Sequence, residues 1–436
     1  VKHSDSLNEH IDRDLCEPST NEENEASANA KKRIKVDQST VEGFTILGVE
    51  HFNKKAKVKR VLPKWLANPT IISSNLQKLE VKVSSVKELD RKLRKMLKKN
   101  GIKYLFPVQA QVIPWLLQSN QHSNIVFPRD VCVSAPTGSG KTLAFVLPVI
   151  QALMHHRVKK IRALVILPTQ DLALQVFKTF KKYTQHTSLD VCLITGKNSF
   201  ENEQKQLLTK NDAFGYISKV DILVCTAGRL VDHLKSTEGF DLTSLEFLII
   251  DEADRVLDSV QHDWLYHLER HISNEDSTFH STKTLNLHTL KKQKATQKLL
   301  FSATLSQDPE KLQKLCLFQP KLFTSVVEAD NSVENMANTA KADSFIGKYT
   351  TPKELSEKYI ICSVDLKPLV LYEFIRAEKL TKTMVFTHSI ESTHRLTILL
   401  KSLFKENTKI EEVSSNLDVK NRNKLIEDFS SGKIDM

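Results

Sequence analysis

The fold is decided by one stretch, Phe247-Leu248-Ile249-Ile250-Asp251-Glu252-Ala253-Asp254. Its first half is a short apolar run of β-forming residues, which is typical of a buried strand in a parallel sheet. The acidic residues therefore lie at the carboxyl end of that strand, where open α/β sheets bind their ligands. Asp251 can hold Mg²⁺, partly through water, and Glu252 can orient and deprotonate an attacking water. An acidic turn is also common in solvated loops, so this prediction depends on a partner elsewhere in the chain.

The partner is the upstream loop Ala135-Pro136-Thr137-Gly138-Ser139-Gly140-Lys141-Thr142. Its pattern is that of a phosphate-binding loop, with alanine at the usual first glycine position. A strand-like run precedes it and a helical apolar pattern follows, so backbone N–H groups at the helix start point at an anion. Lys141 adds a charge for the β- and γ-phosphates, and Thr142 a hydroxyl ligand for Mg²⁺. The loop predicts binding of a nucleoside triphosphate.

These stretches and others, in the same order along the chain, resemble the motifs of the DEAD-box ATP-dependent RNA helicases from about Gly101 onward. The resemblance implies an α/β fold of two RecA-like parallel-sheet lobes that bind RNA between them, with ATP and Mg²⁺ as cofactors. The segments Leu62–Leu66 and Phe106–Gln109 resemble the nucleolar branch that acts in large ribosomal subunit assembly. That branch implies a location in the nucleus and nucleolus, pre-ribosomal RNA as partner, and ribosome-assembly proteins as further candidate partners.

The composition agrees with a polyanionic partner. The 436 residues carry a formal net charge of +11 with a pI near 9.1, which favours nucleic acid. No apolar run approaches the ~20 residues of a membrane span, so no membrane partner is expected. The six cysteines have no metal-ligand spacing and are predicted to be buried free thiols. A guanine-reading Asn-Lys-x-Asp pattern is absent from the sequence, which argues against a signalling GTPase.

The resemblance also implies the domain layout. Residues 1–60 are predicted to form a disordered charged tail, whose basic cluster at 31–37 is either a nuclear localisation signal or a solvated charge run. Residues 61–325 would form the first lobe, 326–352 a linker and 353–436 the second lobe. The sequence stops where the family continues to motifs V and VI, so we expect a truncated second lobe, a fragment of a longer protein and impaired turnover.

Gln109 matches the family's Q motif, and the resemblance implies that its amide reads the adenine edge. A surface glutamine at a helix start is the alternative. Phe106 stands where the family usually has threonine.

Several loops resemble the family's RNA-binding motifs, with hydroxyl, glycine and arginine residues suited to sequence-independent phosphate contacts. For Thr226, Gly228 and Arg229 the alternative is a role in capping a helix. At Gln170 the family typically has arginine, and this change should weaken salt-sensitive RNA contacts. The residues are Pro168, Thr169, Gly196, Thr226, Gly228, Arg229, Ser389 and Arg422.

Asp254, Ser302 and Thr304 are implied by the resemblance to couple the acidic motif to the RNA side. The leading hypothesis is thus an ATP-dependent RNA helicase in which Glu252 is the general base and Asp251 and Lys141 complete the catalytic set. The alternative is a non-catalytic RNA-binding assembly scaffold that uses ATP only to gate binding.

Overall fold

The computed structural model describes residues 40–41, 44–45, 63–73, 75, 79, 81–121, 127–213, 215–258, 263–273, 296–303, 312, 315–326, 355–404 and 408–436. Most of the predicted tail at 1–60, residues 327–352 of the predicted linker and Thr304 lie outside these residues. The chain divides into two units, Val1–Val61 and Leu62–Met436. In the first unit the described residues form a hairpin of β1 (Thr40–Val41) and β2 (Phe44–Thr45).

The second unit contains an eight-stranded parallel sheet and two short antiparallel pairs. The pairs are β4 (Val81–Lys82) with β5 (Tyr104–Leu105), and β9 (Leu208–Asn211) with β10 (Gly215–Ser218). The sheet strands are β3 (Thr70–Ser73), β6 (Val131–Ser134), β7 (Ala163–Leu167), β8 (Val191–Ile194), β11 (Ile222–Thr226), β12 (Phe247–Asp251), β13 (Gln297–Ser302) and β14 (Lys321–Val326). Their spatial order is β3-β14-β6-β13-β12-β7-β11-β8.

Helices alternate with these strands, as a doubly wound sheet requires. Those of the sheet region are α1 (Lys64–Ala67), α2 (Arg91–Lys99), α3 (Pro107–Gln121), α4 (Lys141–Leu153), α5 (Gln170–Thr184), α6 (Phe200–Leu207), α7 (Ala227–Ser236), α8 (Ala253–Asp258) and α9 (Trp264–Ser273). Three more follow in the C-terminal segment: α10 (Lys367–Ala377), α11 (Ile390–Phe404) and α12 (Val419–Ser430).

Each face of the sheet has its own hydrophobic core, because successive side chains of a strand point to opposite faces. In β7, Val165 packs in one core with residues of α2 to α5, and Leu164 and Ile166 pack in the other with residues of α6 to α9. The strands therefore read as continuous apolar runs. Covering both faces leaves the carboxyl edge of the sheet as the place for polar chemistry.

The apolar runs at 163–167 and 191–194 predict strands, and the pattern at 390–404 predicts a helix. The structure confirms these three elements. The first amphipathic helix begins later than its apolar pattern from Val86 suggests. Asp90 sets the start, because its Oδ1 accepts a hydrogen bond from the backbone N of Lys92 at 2.6 Å, and a capping side chain fixes the first helical turn.

The apolar runs at 358–362 and 383–386 predict strands of the second lobe. Neither strand is formed. The backbone N of Thr383 donates to the carbonyl of Asp435 at 2.9 Å, but no strand pairing is present among residues 355–404 and 408–436. A strand needs paired neighbours for stability. Without them, apolar side chains of these two runs are largely exposed. Tyr359, Ile361 and Phe386 are 87%, 90% and 86% exposed.

Cysteine burial follows the sheet. Cys132, Cys192 and Cys225 lie in strands as buried free thiols, and burial raises the pKa of each. The prediction of burial is wrong for Cys316, which is exposed in a turn with φ 44°, and Cys362 is only half-buried. Within the described residues, no helix is both long and apolar enough to cross a membrane.

Phe145 fixes α4 against the sheet. Its ring contacts Phe301 of β13 and Phe180 of α5, with centroid distances of 5.0 and 6.2 Å. Because the loop before α4 carries the phosphate-binding pattern, this packing sets the position of that loop relative to β13.

Phe145→Ala should destabilise the protein by about 3–5 kcal/mol, because it leaves a cavity in a close-packed core. Phe318→Ala, which removes a ring that is 44% exposed, should cost less than about 1 kcal/mol. Urea unfolding followed by tryptophan fluorescence measures both. Equal losses would contradict the packing described here.

Candidate functional site

The phosphate loop, Ser302 and Asp251 lie side by side at the carboxyl edge of the sheet. In the strand register Ser302 pairs with Ser134 at the end of β6, and Asp251 pairs with Phe301. The backbone N of Ala135 donates to the carbonyl of Ser302 at 3.1 Å, which ties the loop to β13. The structure thus brings together the predicted phosphate loop, the acidic turn and one predicted coupling residue.

The loop between β6 and α4 has two residues in the left-handed region, Gly138 with φ 80° and Gly140 with φ 79°. A Cβ at Gly140 would lie 2.2 Å from Gln109 Nε2 and 2.9 Å from Phe106 Cδ2. Only glycine fits there, because both the conformation and the space exclude a side chain. The glycine pattern therefore has a steric cause in this chain.

Lys141 is buried at the start of α4 and folds back onto its own loop. Its Nζ donates to the carbonyls of Ala135 at 2.8 Å and Pro136 at 3.1 Å. Burial lowers the pKa of Lys141, and the charges of Glu252, Asp251 and Asp254 oppose that shift. The ammonium thus lies in the field of the acidic turn, held by neutral carbonyl acceptors.

Asp251 is buried at the end of β12. Burial raises the pKa of Asp251 to about 6, while the Lys141 charge acts in the opposite direction. Its Oδ1 accepts a hydrogen bond from the backbone N of Glu252 at 3.0 Å. Glu252 itself is half-buried with φ 50°, a left-handed conformation that is strained for a residue with a side chain.

The donors at this edge fit Mg²⁺. The carboxylates of the acidic turn and the half-buried hydroxyl of Thr142 are hard oxygen ligands, and Mg²⁺ takes one or two carboxylates and completes its shell with water and phosphate oxygens. Within the described residues no cluster of three His, Cys, Asp or Glu side chains could hold a metal alone. Ser139 Oγ in the loop is buried with no hydrogen-bond partner among those residues, so the loop offers an unused donor to an anion.

Gln109 is buried next to the loop, in the first turn of α3. Its Oε1 accepts from the backbone N of Phe106 at 3.1 Å, and its Nε2 donates to the carbonyl of Gly140 at 3.0 Å. The alternative of a surface glutamine is therefore wrong, since the amide bridges the start of α3 to the phosphate loop.

The remaining strands of the same edge carry the other predicted loops. Pro168 and Thr169 follow β7, and Thr169 Oγ1 caps α5 through Leu172 N at 3.4 Å. Thr226 ends β11 and precedes α7, where it makes no side-chain cap bond; Gly228 lies in the first turn of α7. Gly196 follows β8 with φ 76°.

Arg229 is held by partners that the sequence did not reveal. Its Nε donates to Glu203 Oε2 at 2.6 Å and its Nη1 lies 3.4 Å from Asp232 Oδ2. The guanidinium carbon lies 4.8 Å from the centroid of the Phe200 ring. The missed signal is the spacing of Phe200, Glu203 and Leu207, which places a carboxylate on the inward face of α6.

Ser389 and Arg422 lie outside this edge, in the C-terminal segment. Ser389 Oγ accepts from Ser392 N at 3.1 Å at the start of α11. Arg422 lies in the first turn of α12. Both roles stay predictions, as does that of Thr304.

The comparisons with known proteins agree with this geometry. The sequence profile described as DEAD/DEAH box helicase matches residues 106–312. The rice (Oryza sativa subsp. japonica) protein "DEAD-box ATP-dependent RNA helicase 1" is 35% identical over 85% of this chain and 72% of its own length. The chain belongs to the DEAD-box helicase family.

Two further similarities bear on this DEAD-box chain. The Drosophila melanogaster protein "Probable ATP-dependent RNA helicase Dbp73D" is 45% identical over 90% of the chain, which spans 59% of that relative's length. The structure of Mss116p bound to ssRNA and AMP-PNP has a TM-score of 0.59 at 20% identity, covering 82% of this chain and 65% of the other. That likeness shows the fold, and the predicted RecA-like parallel α/β class is confirmed.

Asp251→Asn should stabilise the DEAD-box chain at pH 7.5 by about 1–3 kcal/mol. The folded state raises the pKa of Asp251 to about 6, so this state binds the proton more tightly than the unfolded chain does. Stability from this group is therefore highest below about pH 4 and is lost as the pH rises through 6.

Thermal unfolding at pH 7.5 and pH 5 tests this prediction, with Asp212→Asn, an exposed carboxylate, as control. The gain from Asp251→Asn should shrink at pH 5, and the control should change little at either pH. A variant less stable than wild type at pH 7.5 would contradict the assigned pKa direction.

Proposed function

We propose that the chain is the ATP- and RNA-binding part of an ATP-dependent RNA helicase. The observation that carries the proposal is the arrangement of the sheet edge. The phosphate loop, Ser302 and the acidic turn occupy the ends of β6, β13 and β12, and the predicted RNA loops occupy the ends of β7, β11 and β8. One edge thus offers adjacent sites for a nucleotide and for a polynucleotide.

ATP would bind on the loop Ala135–Thr142. Backbone N–H groups at the start of α4 and the Ser139 hydroxyl would bind the phosphates. The Lys141 ammonium would exchange the carbonyls of Ala135 and Pro136 for the β- and γ-phosphates. The charge of the phosphates would offset the cost of burying the ammonium. Gln109 would read the adenine edge from its place beside Gly140.

Hydrolysis would depend on the acidic turn. Asp251 and Thr142 would hold Mg²⁺, which neutralises charge on the phosphates when bound. Glu252 would orient and deprotonate the attacking water. The strained conformation of Glu252 supports this role, because such strain persists where the surrounding structure fixes a functional side chain.

RNA would lie across the other half of the edge. Its phosphates would be contacted from the first lobe by Pro168, Thr169, Gly196, Thr226, Gly228 and Arg229. Ser389 and Arg422 would contact them from the second lobe. Lys197 supports this path, because its Nζ lies 3.0 Å from Asp171 Oδ1 in the first turn of α5. It supplies a cation near Gln170, where the family typically has arginine.

Coupling between the two halves would pass through Asp254, Ser302 and Thr304. Ser302 is buried between β6 and β12, so a movement of the acidic turn would reach the loop through β13. We propose the layout of tail 1–60, first lobe 61–325, linker 326–352 and second lobe 353–436 for the same protein.

The cellular role that we propose is remodelling of pre-ribosomal RNA during large-subunit assembly, in the nucleolus. This rests on the resemblance of Leu62–Leu66 and Phe106–Gln109 to the nucleolar branch. Ribosome-assembly proteins would then be its protein partners.

Two variants separate nucleotide binding from hydrolysis. Lys141→Ala should abolish tight ATP binding, because the loop loses its only charge. Glu252→Gln should keep ATP affinity but lower RNA-stimulated turnover by about 10²–10⁴-fold, the usual contribution of a general base. Fluorescent-nucleotide titration and phosphate release with single-stranded RNA measure the two quantities.

Glu201→Gln, an exposed carboxylate on α6, is the matched control and should change neither quantity. Full turnover by Glu252→Gln would remove that residue as the base. Binding of ATP and RNA without turnover, both by this chain and by a chain extended past Met436, would favour the ATP-gated scaffold.

Deleting residues 31–37 should reduce nuclear accumulation of a tagged protein, because the deletion removes the basic cluster of the tail. Replacing the same residues by alternating lysine and glutamate is the control for a mere charge effect. An unchanged distribution after the deletion would favour a solvated charge run.

A further inference from the structure

The carboxylate of Glu203 joins the turn after β8 to helix α7 in the RNA half of the edge. Its Oε1 accepts from the backbone N of Thr195 at 3.3 Å and of Gly196 at 3.1 Å. Its Oε2 accepts from Arg229 Nε at 2.6 Å and lies 3.3 Å from His233 Nε2. The residue is only 1% exposed. One oxygen holds the turn after β8, and the other holds Arg229 and His233 of α7.

A purely electrostatic role for Glu203 would oppose RNA binding. Burial acts to raise the pKa of Glu203, but hydrogen bonds from Arg229 and His233 lower it below its usual value, so the group is ionised at neutral pH. A negative charge beside a phosphate path repels the ligand and neutralises Arg229. The contacts of Glu203 instead fit a role in holding its neighbours in place.

We propose that Glu203 is a positioning residue that holds the Thr195–Gly196 turn and Arg229 in one fixed geometry for the phosphates of an RNA strand. The inference rests on the proposed RNA-binding function. Glu203 on one side and the Phe200 ring on the other fix the guanidinium plane. Arg229 keeps 18% of its side-chain area exposed, and a guanidinium has five N–H donors, so donors remain for a phosphate.

His233 completes the cluster. It is fully buried, its ring stacks on Phe200 with a centroid distance of 4.5 Å, and its Nδ1 lies 2.9 Å from Thr237 Oγ1. Burial lowers the pKa of His233. A neutral ring that donates from Nε2 to Glu203 and accepts at Nδ1 from the Thr237 hydroxyl satisfies both nitrogens. The carboxylate is thereby held from the side of α7 as well.

Glu203→Gln keeps the shape of the side chain and removes its charge. A glutamine has one acceptor oxygen, and its amide NH₂ would face N–H donors in either orientation. Either the Thr195–Gly196 turn or Arg229 therefore loses its hydrogen-bond partner. Removal of the charge alone would strengthen RNA binding, so the two explanations predict opposite signs.

Single-stranded RNA binding, measured by fluorescence anisotropy with Mg²⁺ and AMP-PNP present, gives the first test. Glu203→Gln should weaken RNA binding about 5–20-fold, a loss of about 1–2 kcal/mol, and leave AMP-PNP affinity unchanged. Glu201→Gln, on the exposed side of the same helix, should bind RNA as wild type or slightly better. Unchanged or tighter RNA binding by Glu203→Gln would overturn the proposal.

Hydrogen exchange in the RNA-free protein gives a test that does not depend on RNA binding. Glu203→Gln should speed amide exchange at Thr195 or Gly196, or raise the exposure of Arg229 to chemical modification, while the same amides in Glu201→Gln stay as in wild type. No change at either loop would refute the positioning role. Failure of wild type to bind RNA, with the exchange change present, would instead refute the proposed function.

Arg229→Lys supplies a second variant if Glu203→Gln does not fold. It keeps the charge but loses the Nε donor and the planar fork, and it should weaken RNA binding by a similar factor. The double variant should bind about as weakly as either single one, because both changes break one unit. Additive losses would contradict the shared geometry.

Discussion

The structure depends on one electrostatic constraint, the burial of Lys141 and Asp251 at the same edge of the sheet. Burial lowers the pKa of Lys141 and raises the pKa of Asp251, so it favours the neutral form of each group. The charge of each group opposes the shift in the other. In the free protein the ammonium lies on loop carbonyls and the carboxylate on the Glu252 amide. A triphosphate would give the Lys141 ammonium a charged hydrogen-bond partner, and a hard divalent cation would give the Asp251 carboxylate an opposite charge to bind.

The order of the strands determines which groups lie next to this pair along the edge. The strands β6, β13 and β12 end in nucleotide chemistry, and their neighbours β7, β11 and β8 end in loops suited to phosphates of another chain. Parallel pairing aligns every carboxyl end, and helices cover both faces, so polar groups collect along one line. Ser302 in β13 ties the phosphate loop to the sheet through Ala135. Glu203 ties the turn at Gly196 to Arg229.

Sequence reasoning located most of this edge because glycine spacing and apolar strands report local geometry. It predicted the phosphate loop, the acidic turn and the strands at 163–167 and 191–194. It did not find Glu203, since a glutamate in a short polar helix resembles a solvated charge until tertiary packing buries it. Strands at 358–362 and 383–386 failed for a related reason, because pairing partners and not local propensity decide whether a strand forms.

The most direct test is hydrogen exchange of the wild-type chain with and without AMP-PNP and Mg²⁺. The account predicts slower amide exchange at Ala135–Thr142 and, only with Mg²⁺ present, at Asp251–Asp254. Exchange at the opposite edge, around Asp130 and Arg162, should stay unchanged. Protection at that opposite edge, or none at the phosphate loop, would contradict the assignment of the carboxyl edge as the nucleotide site.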